Sequence, residues 1–166
     1  AMPPLTLAVQ GQTLEFWMLP QSQEAAERIK KLFRQAKKTI QVALFTWTRK
    51  DFAEEMVVAQ KRGVQVSVVI DRTSGLGASA PVVKRLLDGG VDTRLSLGKG
   101  LLHHKFALID GEILIHGSAN WTYAAFQKND DCFCLLKTLS TAQQSYLNRL
   151  FERIVRESGA ATTLLE

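Results

Sequence analysis

Apolar and polar positions alternate along this chain with two periods, one typical of strands and one typical of helices. Short apolar runs predict strands over residues 14–19, 39–47, 64–71, 91–97 and 131–137. The run at 64–71 is apolar at nearly every position, as expected for a central strand that is covered on both faces.

Apolar residues at helical spacing occupy most of the intervals between these strands. A first helix is predicted to begin with Ser22 as its N-cap, and a second with a capping box formed by Asp51 and Glu54. Further helices are predicted over residues 81–89, 120–126 and 141–158, the last with an inward apolar face made of Tyr146, Leu147, Leu150, Phe151, Ile154 and Val155.

The order of the elements predicts the fold class. Strand-helix-strand succession implies parallel pairing, whereas a hairpin within residues 103–120 adds antiparallel strands. We therefore predict an α/β fold, an α/β/α sandwich with a mixed central sheet. Residues 1–12 are expected to be a loose lead-in, residues 13–166 a single catalytic domain, and the Gly-rich segment 72–81 a mobile rim, since it lacks a nucleotide-binding pattern.

The stretch at 103–120, HHKFALIDGEILIHGSAN, contains all three histidines of the chain. Its Asp110-Gly111 pair lies between two apolar runs, which is the strongest short-range signal for a hairpin with a two-residue type I′ turn. That turn predicts two cross-strand pairs on one face of the hairpin, His103 with Ser118 and Lys105 with His116.

An imidazole, an ammonium group and a hydroxyl are thus expected together on one face, from His103, Lys105 and Ser118. They form a set suited to phosphate chemistry, because a nucleophile needs a fixed positive charge and hydrogen-bond donors where charge spreads over phosphoryl oxygens. His104 is expected to point to the other face. Asp110 lies at the turn with the opposite parity and is assigned a supporting role in the hairpin geometry, and His116 is interpreted as a packing residue.

The spacing also matches the pattern H-x-K-x4-D-x6-G-S-x-N, through His103, Lys105, Asp110, Gly117, Ser118 and Asn120. In this pattern the chain resembles the phospholipase D superfamily, and in particular its single-motif branch, which includes the bacterial Nuc-type endonucleases and the Zucchini-type cardiolipin hydrolases. Beginning the motif at His104 would put Phe106 where the lysine is needed. The resemblance implies a phospholipase D-like fold.

The resemblance also implies roles for individual residues. His103 would attack phosphorus to form a phosphohistidine, Lys105 would neutralise the phosphoryl oxygens, and Ser118 and Asn120 would donate hydrogen bonds, with Gly117 supporting them. An acidic residue on the next strand orients the histidine in this family. Asp131 occupies that position here, one methylene shorter than the family's glutamate. Single-motif relatives act as dimers, so a homodimer is expected.

Charge indicates the class of partner. The chain has 166 residues, a net charge of +5 and a pI near 9.4, which favours a polyanion, either nucleic acid or an anionic membrane surface. Lys99 and Arg72, in loops beside the motif, are predicted substrate contacts, although Lys99 between two glycines also fits a plain turn. The basic face of the first helix is either a phosphate-binding track or a solvated surface, and Trp47, Trp121 and Tyr123 either stack on bases or belong to the core.

Cys132 and Cys134 are expected to be reduced, since both face one side of a strand and would bridge only with distortion. No set of residues completes a zinc site, and we predict no metal and no cofactor. No apolar run approaches the roughly 18 residues of a membrane span. Ala1-Met2 is interpreted as a cloning scar, and the natural N-terminus, any anchor and the compartment are left open.

Three functions fit these observations. The favoured one is a metal-independent endonuclease that cleaves single-stranded nucleic acid through a phosphohistidine in a homodimer. The alternative is a phospholipase D-type hydrolase of an anionic phospholipid, although no segment beyond the helix faces committed to the core suggests a bilayer-docking surface. The third is a nucleic-acid-binding protein without activity, and turnover of a generic phosphodiester distinguishes it from the other two.

Overall fold

Nine strands form one mixed sheet in this computed structural model, which describes residues 4–165. In chain order they are β1 (Leu5–Val9), β2 (Gln12–Leu19), β3 (Thr39–Leu44), β4 (Gln65–Ile70), β5 (Asp92–Ser96), β6 (Lys105–Ile109), β7 (Ile113–Gly117), β8 (Asp131–Lys137) and β9 (Ser158–Ala160). Their order across the sheet is β1-β2-β8-β7-β6-β3-β4-β5-β9. The pairs β3–β4 and β4–β5 are parallel and the others are antiparallel, so the predicted mixed sheet is confirmed.

Helices cover both faces of this sheet. They are α1 (Ala25–Gln35), α2 (Lys50–Lys61), α3 (Arg72–Gly75), α4 (Ala80–Asp88), α5 (Tyr123–Gln127), α6 (Thr141–Arg156) and α7 (Ala161–Leu164). Apolar side chains of α1, α2, α4 and α5 pack on one face, whereas Phe151 and Ile154 of α6 pack on the other. The α/β/α sandwich is therefore confirmed. Within residues 4–165, no helix is long and apolar enough to cross a membrane.

Two segments predicted to be loose are ordered parts of the fold. Residues 5–9 of the lead-in form β1, which pairs antiparallel with β2 at the edge of the sheet. In the segment predicted as a mobile rim, the Ser79 hydroxyl accepts a hydrogen bond from the Trp47 N–H at 2.8 Å and lies 2.7 Å from the Ser74 hydroxyl. Those buried contacts anchor the segment to the end of β3, and they are long-range contacts that Gly-rich composition does not reveal.

Two predicted helix starts are wrong in detail. Helix α1 begins at Ala25 after a Glu24 N-cap, and Ser22 contributes only its carbonyl to the Ala25 N–H. Helix α2 has no capping box, because Asp51 pairs with Arg49 and Glu54 pairs with Arg85. In both cases an ion pair or backbone contact takes the place of the predicted cap.

The β6–β7 hairpin has the predicted turn but not the predicted register. Positive φ angles of 55° at Asp110 and 66° at Gly111, with a hydrogen bond of 2.9 Å from the Glu112 N–H to the Ile109 carbonyl, define a type I′ turn. Ile109 nevertheless pairs with Ile113, so Glu112 is one extra residue, a bulge. The Glu112 carbonyl accepts a hydrogen bond of 3.0 Å from the Leu139 N–H, which holds this extra residue in place.

This bulge moves every cross-strand partner by one position. His116 lies opposite Phe106, so the predicted pairing of His116 with Lys105 is wrong. Continuing the same register puts Gly117 opposite Lys105, and His103 precedes the paired region. His116 thereby lies on the α6 side of the sheet, with Phe106.

Candidate active site

An open cleft of about 640 Å³ lies where the free end of the β6–β7 hairpin meets α6. The predicted groups His103, Lys105, Gly117 and Ser118 line it together with His104, His116 and the apolar side chains Phe106, Leu114, Leu147 and Leu150. Most of the motif therefore converges on one cleft, even though the predicted register was wrong.

His103 and Lys105 are in direct contact. The Lys105 Nζ atom lies 2.9 Å from Nδ1 and 3.3 Å from Nε2 of the His103 ring, so the ammonium group can donate to an unprotonated ring nitrogen. Partial burial lowers the pKa of Lys105, and the negative charge of Asp131 offsets part of this effect. The pair supplies a nucleophilic nitrogen beside a positive charge.

Two residues that the sequence analysis did not single out position this pair. The Phe45 ring lies 4.5 Å from the His103 ring between centroids and 5.5 Å from the Lys105 Nζ atom, and its N–H donates to the His104 carbonyl at 2.9 Å. The buried Asp71 carboxylate accepts a hydrogen bond of 2.9 Å from the Leu102 N–H. Asp71 could have been noticed as an acidic residue that ends a buried apolar run, whereas Phe45 carried no signal in the sequence.

Ser118 and Asp131 form a second pair at the start of β8. The Ser118 hydroxyl donates to Asp131 Oδ1 at 2.5 Å and accepts from the Cys132 N–H at 3.0 Å. The hydrogen bond of Asp131 thus goes to Ser118, and no hydrogen bond joins Asp131 to His103 in the described structure. Asp131 acts on the charged pair through its field at Lys105.

Asn120 is held beside the end of β3. Its Oδ1 atom accepts a hydrogen bond of 3.1 Å from the Thr46 N–H, and the Trp121 N–H donates to the Thr46 carbonyl at 3.1 Å. Because the side-chain oxygen has a backbone partner, the amide orientation is fixed and its nitrogen can serve as a donor.

Gly117 and Asp110 have structural reasons for their identities. A Cβ atom on Gly117 would lie 2.4 Å from the Cys132 carbonyl oxygen and 2.5 Å from the Phe133 Cα, so only glycine fits against β8. The Asp110 carboxylate accepts hydrogen bonds of 2.7 to 3.1 Å from three consecutive N–H groups, those of Lys37, Lys38 and Thr39. Burial would raise the pKa of Asp110, but these N–H groups outweigh it and hold the pKa below its usual value.

The other two histidines pack on the α6 side. His104 meets the edge of the Phe106 ring, with centroids 5.4 Å apart, and His116 Nε2 lies 3.2 Å from the Cys134 sulfur. Partial burial lowers the pKa of both imidazoles, and burial with the nearby Cys132 raises the pKa of the Cys134 thiol. Both cysteines are free and half-buried.

The predicted substrate contacts Lys99 and Arg72 are both exposed. Lys99 is exposed in the loop before His103, and Arg72 is anchored through its N–H to the Ser96 hydroxyl at 3.1 Å. Base stacking by Trp47 and Trp121 is wrong, because both rings are buried in the core. Tyr123 is exposed but lies against the Arg49 guanidinium, 4.4 Å from its ring centroid.

Three cations on the basic face of α1 are neutralised by ion pairs. Arg28 pairs with Glu15 at 2.8 Å, Lys30 pairs with Glu27 and Asp51, and Arg34 pairs with Glu55 at 3.1 Å. Ion pairs thus interrupt this face, which is a solvated surface rather than a continuous track for phosphates. Among residues 4–165, no group of three or more histidine, cysteine, aspartate or glutamate side chains is placed to hold a metal ion.

The site combines an imidazole in contact with an ammonium group and, nearby, a hydroxyl bonded to a carboxylate. A phosphodiesterase needs such groups, a nucleophile together with positive charge and hydrogen-bond donors for the phosphoryl oxygens. The chain belongs to the phospholipase D superfamily of phosphodiesterases, since residues 29–155 match the family described as "Cardiolipin synthase, PLD-like domain". This range contains the whole predicted motif.

Individual relatives agree with this assignment. The chain is 31% identical over 144 residues to a mitochondrial cardiolipin hydrolase of Xenopus laevis, covering 87% of this chain and 67% of that protein. It is 28% identical over 138 residues to the mitochondrial cardiolipin hydrolase of Homo sapiens, covering 83% of this chain and 52% of that protein. The chain thus spans between about half and two thirds of the length of these two relatives.

Two solved structures share the fold. Nuc from Salmonella typhimurium, a phospholipase D family member, superposes with a TM-score of 0.82 at 23% identity, over 90% of this chain and 97% of that one. NucT from Helicobacter pylori superposes with a TM-score of 0.78 at 19% identity, over 90% and 99% of the two chains. At these identities the likeness concerns the fold alone.

Proposed function

We propose that this protein is a metal-independent endonuclease that cleaves single-stranded nucleic acid through a phosphohistidine on His103 in a homodimer. The observation that carries the proposal is the contact of 2.9 Å between the His103 imidazole and the Lys105 ammonium in an open cleft. No cofactor is required, because the ammonium group supplies the positive charge that a metal would otherwise bring to the phosphoryl oxygens.

The reaction has two displacements at phosphorus. A neutral His103 nitrogen attacks, a nitrogen–phosphorus bond forms, and the bond to the leaving oxygen breaks as that oxygen takes a proton from an acid on the far side. Water then attacks the phosphohistidine, gives its proton to the same group, and releases His103. Lys105 stabilises the charge on the phosphoryl oxygens in both steps, and Asn120 donates to them. Ser118 donates to them as well once its hydroxyl, which is bonded to Asp131 in the free protein, turns to the phosphate.

A homodimer would supply the acid. The chain carries the motif once, and a two-fold axis beside the cleft would bring a second, protonated His103 to the same phosphorus. An apolar surface suited to such a contact adjoins the cleft, lined by Leu114, Leu136, Leu139 and Leu147. Tyr146, predicted to face inward, is 67% exposed on this surface, a position that a second subunit would cover.

Nucleic acid is our first candidate because a long polyanion can contact several cations of one protein at once. The net charge of +5, with Lys99 and Arg72 in exposed loops, suits such a substrate, and the motif resembles that of Nuc-type endonucleases as well as that of cardiolipin hydrolases. Single strands are favoured because we expect a groove that crosses the proposed two-fold axis to be too narrow for a duplex. Hydrolysis of an anionic phospholipid is the second candidate, favoured by the cardiolipin hydrolases among the relatives.

A substrate panel in excess EDTA tests the proposal. We expect a single-stranded oligonucleotide to be cleaved faster than a duplex, and both faster than anionic phospholipid vesicles. A generic diester such as bis(p-nitrophenyl) phosphate reports on the chemistry alone, and no turnover of it would indicate a binding protein. Lipid hydrolysis without oligonucleotide cleavage at low salt would decide for the second candidate, and activity restored only by magnesium would exclude the scheme.

Mixed dimers test the two-histidine arrangement. Two differently tagged copies, one native and one His103→Ala, are co-expressed and the heterodimer is purified through both tags. We expect it to lose multiple turnover, because one copy lacks the nucleophile or the acid. A fully active monomer in sedimentation velocity would contradict the dimeric site while leaving the phosphodiesterase chemistry intact.

A further inference from the structure

Two leucines stand exposed at either end of a short loop beside the cleft. Residues 97–101, Leu-Gly-Lys-Gly-Leu, connect the end of β5 to the segment that carries His103. Leu97 is 45% and Leu101 is 59% exposed. A single exposed leucine is common on protein surfaces, but two on one loop of five residues, on either side of a lysine, form a small amphipathic patch. We name these five residues the rim loop.

The base of the rim loop is fixed while its tip is open. The Leu97 N–H donates to the Glu157 carbonyl at 2.8 Å, and the Leu102 N–H just after the loop donates to Asp71 Oδ1 at 2.9 Å. A Cβ atom on Gly98 would meet nothing closer than 3.9 Å, and one on Gly100 would meet nothing within 4 Å. Leu97 and Leu101 therefore flank an open tip that carries Lys99, above a base held by two hydrogen bonds.

A third exposed leucine and a second cation lie in and just after α3, which follows β4, the strand beside β5. Leu76, 52% exposed, follows α3, and the Arg72 N–H at the start of α3 is bonded to the Ser96 hydroxyl, directly before the rim loop. Neither Arg72 nor Lys99 forms an ion pair with any residue in the described part of the chain. The acidic group at the loop base, Glu157, is itself engaged by Arg153 at 3.6 Å.

We propose that the rim loop docks the protein on an anionic lipid bilayer, independently of which phosphodiester the cleft hydrolyses. Apolar side chains would enter the boundary between headgroups and acyl chains while Lys99 and Arg72 contact anionic headgroups. Nucleic acid fits this surface less well, because leucine offers bases neither a ring to stack on nor a hydrogen bond. The charge of the surface suits either polyanion, but its exposed leucines suit only the bilayer.

Docking there would place the cleft at headgroup level. Leu101 and His103 line one cavity of about 390 Å³ and are two residues apart, a reach of at most about 7 Å along an extended chain. The motif would therefore lie close to the membrane surface whenever the loop is inserted.

Vesicle co-sedimentation tests the proposal. The native protein should bind phosphatidylcholine–phosphatidylglycerol vesicles, at a 7:3 molar ratio, at least about tenfold tighter than pure phosphatidylcholine. Leu101→Ser should weaken this binding about tenfold, since one buried leucine is lost. Val58→Ser, which changes a side chain 51% exposed on α2, is the matched control and should bind like the native protein.

Fluorescence gives a direct measure of insertion. The three native tryptophans, at 17, 47 and 121, are buried, so a Leu101→Trp side chain would report separately from them. Its emission should shift to the blue on 7:3 vesicles and be quenched by brominated acyl chains, whereas a Val58→Trp control should not respond.

Other results of the vesicle experiments would contradict membrane docking by the rim loop. No vesicle binding by the native protein, or binding that is unchanged in Leu101→Ser and gives no blue shift in Leu101→Trp, would overturn the proposal. Weaker oligonucleotide binding in Leu101→Ser with unchanged vesicle binding would assign the loop to nucleic acid instead. Cleavage of a soluble oligonucleotide by both variants at the native rate would uphold the nuclease assignment whichever result the vesicles give.

Discussion

At the turn end of the β6–β7 hairpin a carboxylate is held by the backbone, whereas at the open end side chains hold one another. The Asp110 carboxylate accepts hydrogen bonds from three backbone N–H groups, which cannot titrate. Lys105 instead contacts His103, and Ser118 contacts Asp131, so Lys105 and Ser118 can exchange these partners for a phosphate that enters the cleft. The two ends of the hairpin, one length of β6 apart, thus differ in kind. Asp110 is a rigid anchor at the turn, and the side-chain pairs at the open end form an adaptable site.

The largest expected effect comes from His103. Replacing it with Ala should lower turnover of a generic diester by about 10⁴-fold or more, because the nucleophile is lost. His104→Ala is the matched control and should stay within about fivefold of the native enzyme, since His104 packs on Phe106. Quenching a single turnover on labelled substrate with SDS at alkaline pH should trap an acid-labile phosphoenzyme in the native protein and in His104→Ala only. An active His103→Ala would put the nucleophile elsewhere.

Lys105 should come next. Lys105→Met should lower kcat about 10²- to 10³-fold by removing a charge that stabilises the transition state. Because burial lowers the pKa of Lys105 below its ordinary 10.5, native activity should fall with rising pH earlier than an ordinary lysine would allow. Lys105→Arg stays protonated and should lose this alkaline decline. A decline of the same midpoint in Lys105→Arg would assign it to another group.

At the turn end, substitution should affect stability rather than chemistry. Asp110→Ala leaves three N–H groups without their carboxylate and should cost about 3 kcal/mol of unfolding free energy. Turnover per folded molecule should stay near the native value. Asp92→Ala, at the exposed start of β5, is the control and should stay within about 0.5 kcal/mol in the same urea titration. A drop in turnover larger than the loss of folded protein would extend the adaptable site to the turn.

The smallest expected effect concerns His116. Partial burial lowers its pKa, so below the ordinary value of 6.5 the unfolded chain takes up a proton before the folded protein does, and stability falls as pH falls. His116→Gln should reduce this fall by about 0.5 kcal/mol or less, since the ring is partly solvated and screened. Urea titrations at pH 8 and pH 5.5 measure it. An unchanged difference between the two pH values would mean that His104 carries the dependence.

The sequence predicted what depends on local pattern. Strand periodicity and the Asp110-Gly111 pair were sufficient for the mixed sandwich and for the type I′ turn. Contacts between distant segments were not predictable in this way: Glu112 bulges because Leu139 binds its carbonyl, and Phe45 reaches His103 only because β3 and β6 pair. His103 and Lys105 were predicted together correctly because they are two residues apart, so their shared face does not depend on the register.

The bulge at Glu112 bears on which changes in length this motif can tolerate. Ile109 pairs with Ile113 across it, so deleting Glu112 would leave a two-residue turn and keep His116 opposite Phe106. A deletion of one residue within β7 would instead bring His116 to the face of Lys105 and move Gly117 from its place against β8, because side chains alternate between the faces of a strand. Alignments of related sequences should therefore show single-residue gaps between the lysine and the glycine of the motif only at the bulge, and none within the two strands.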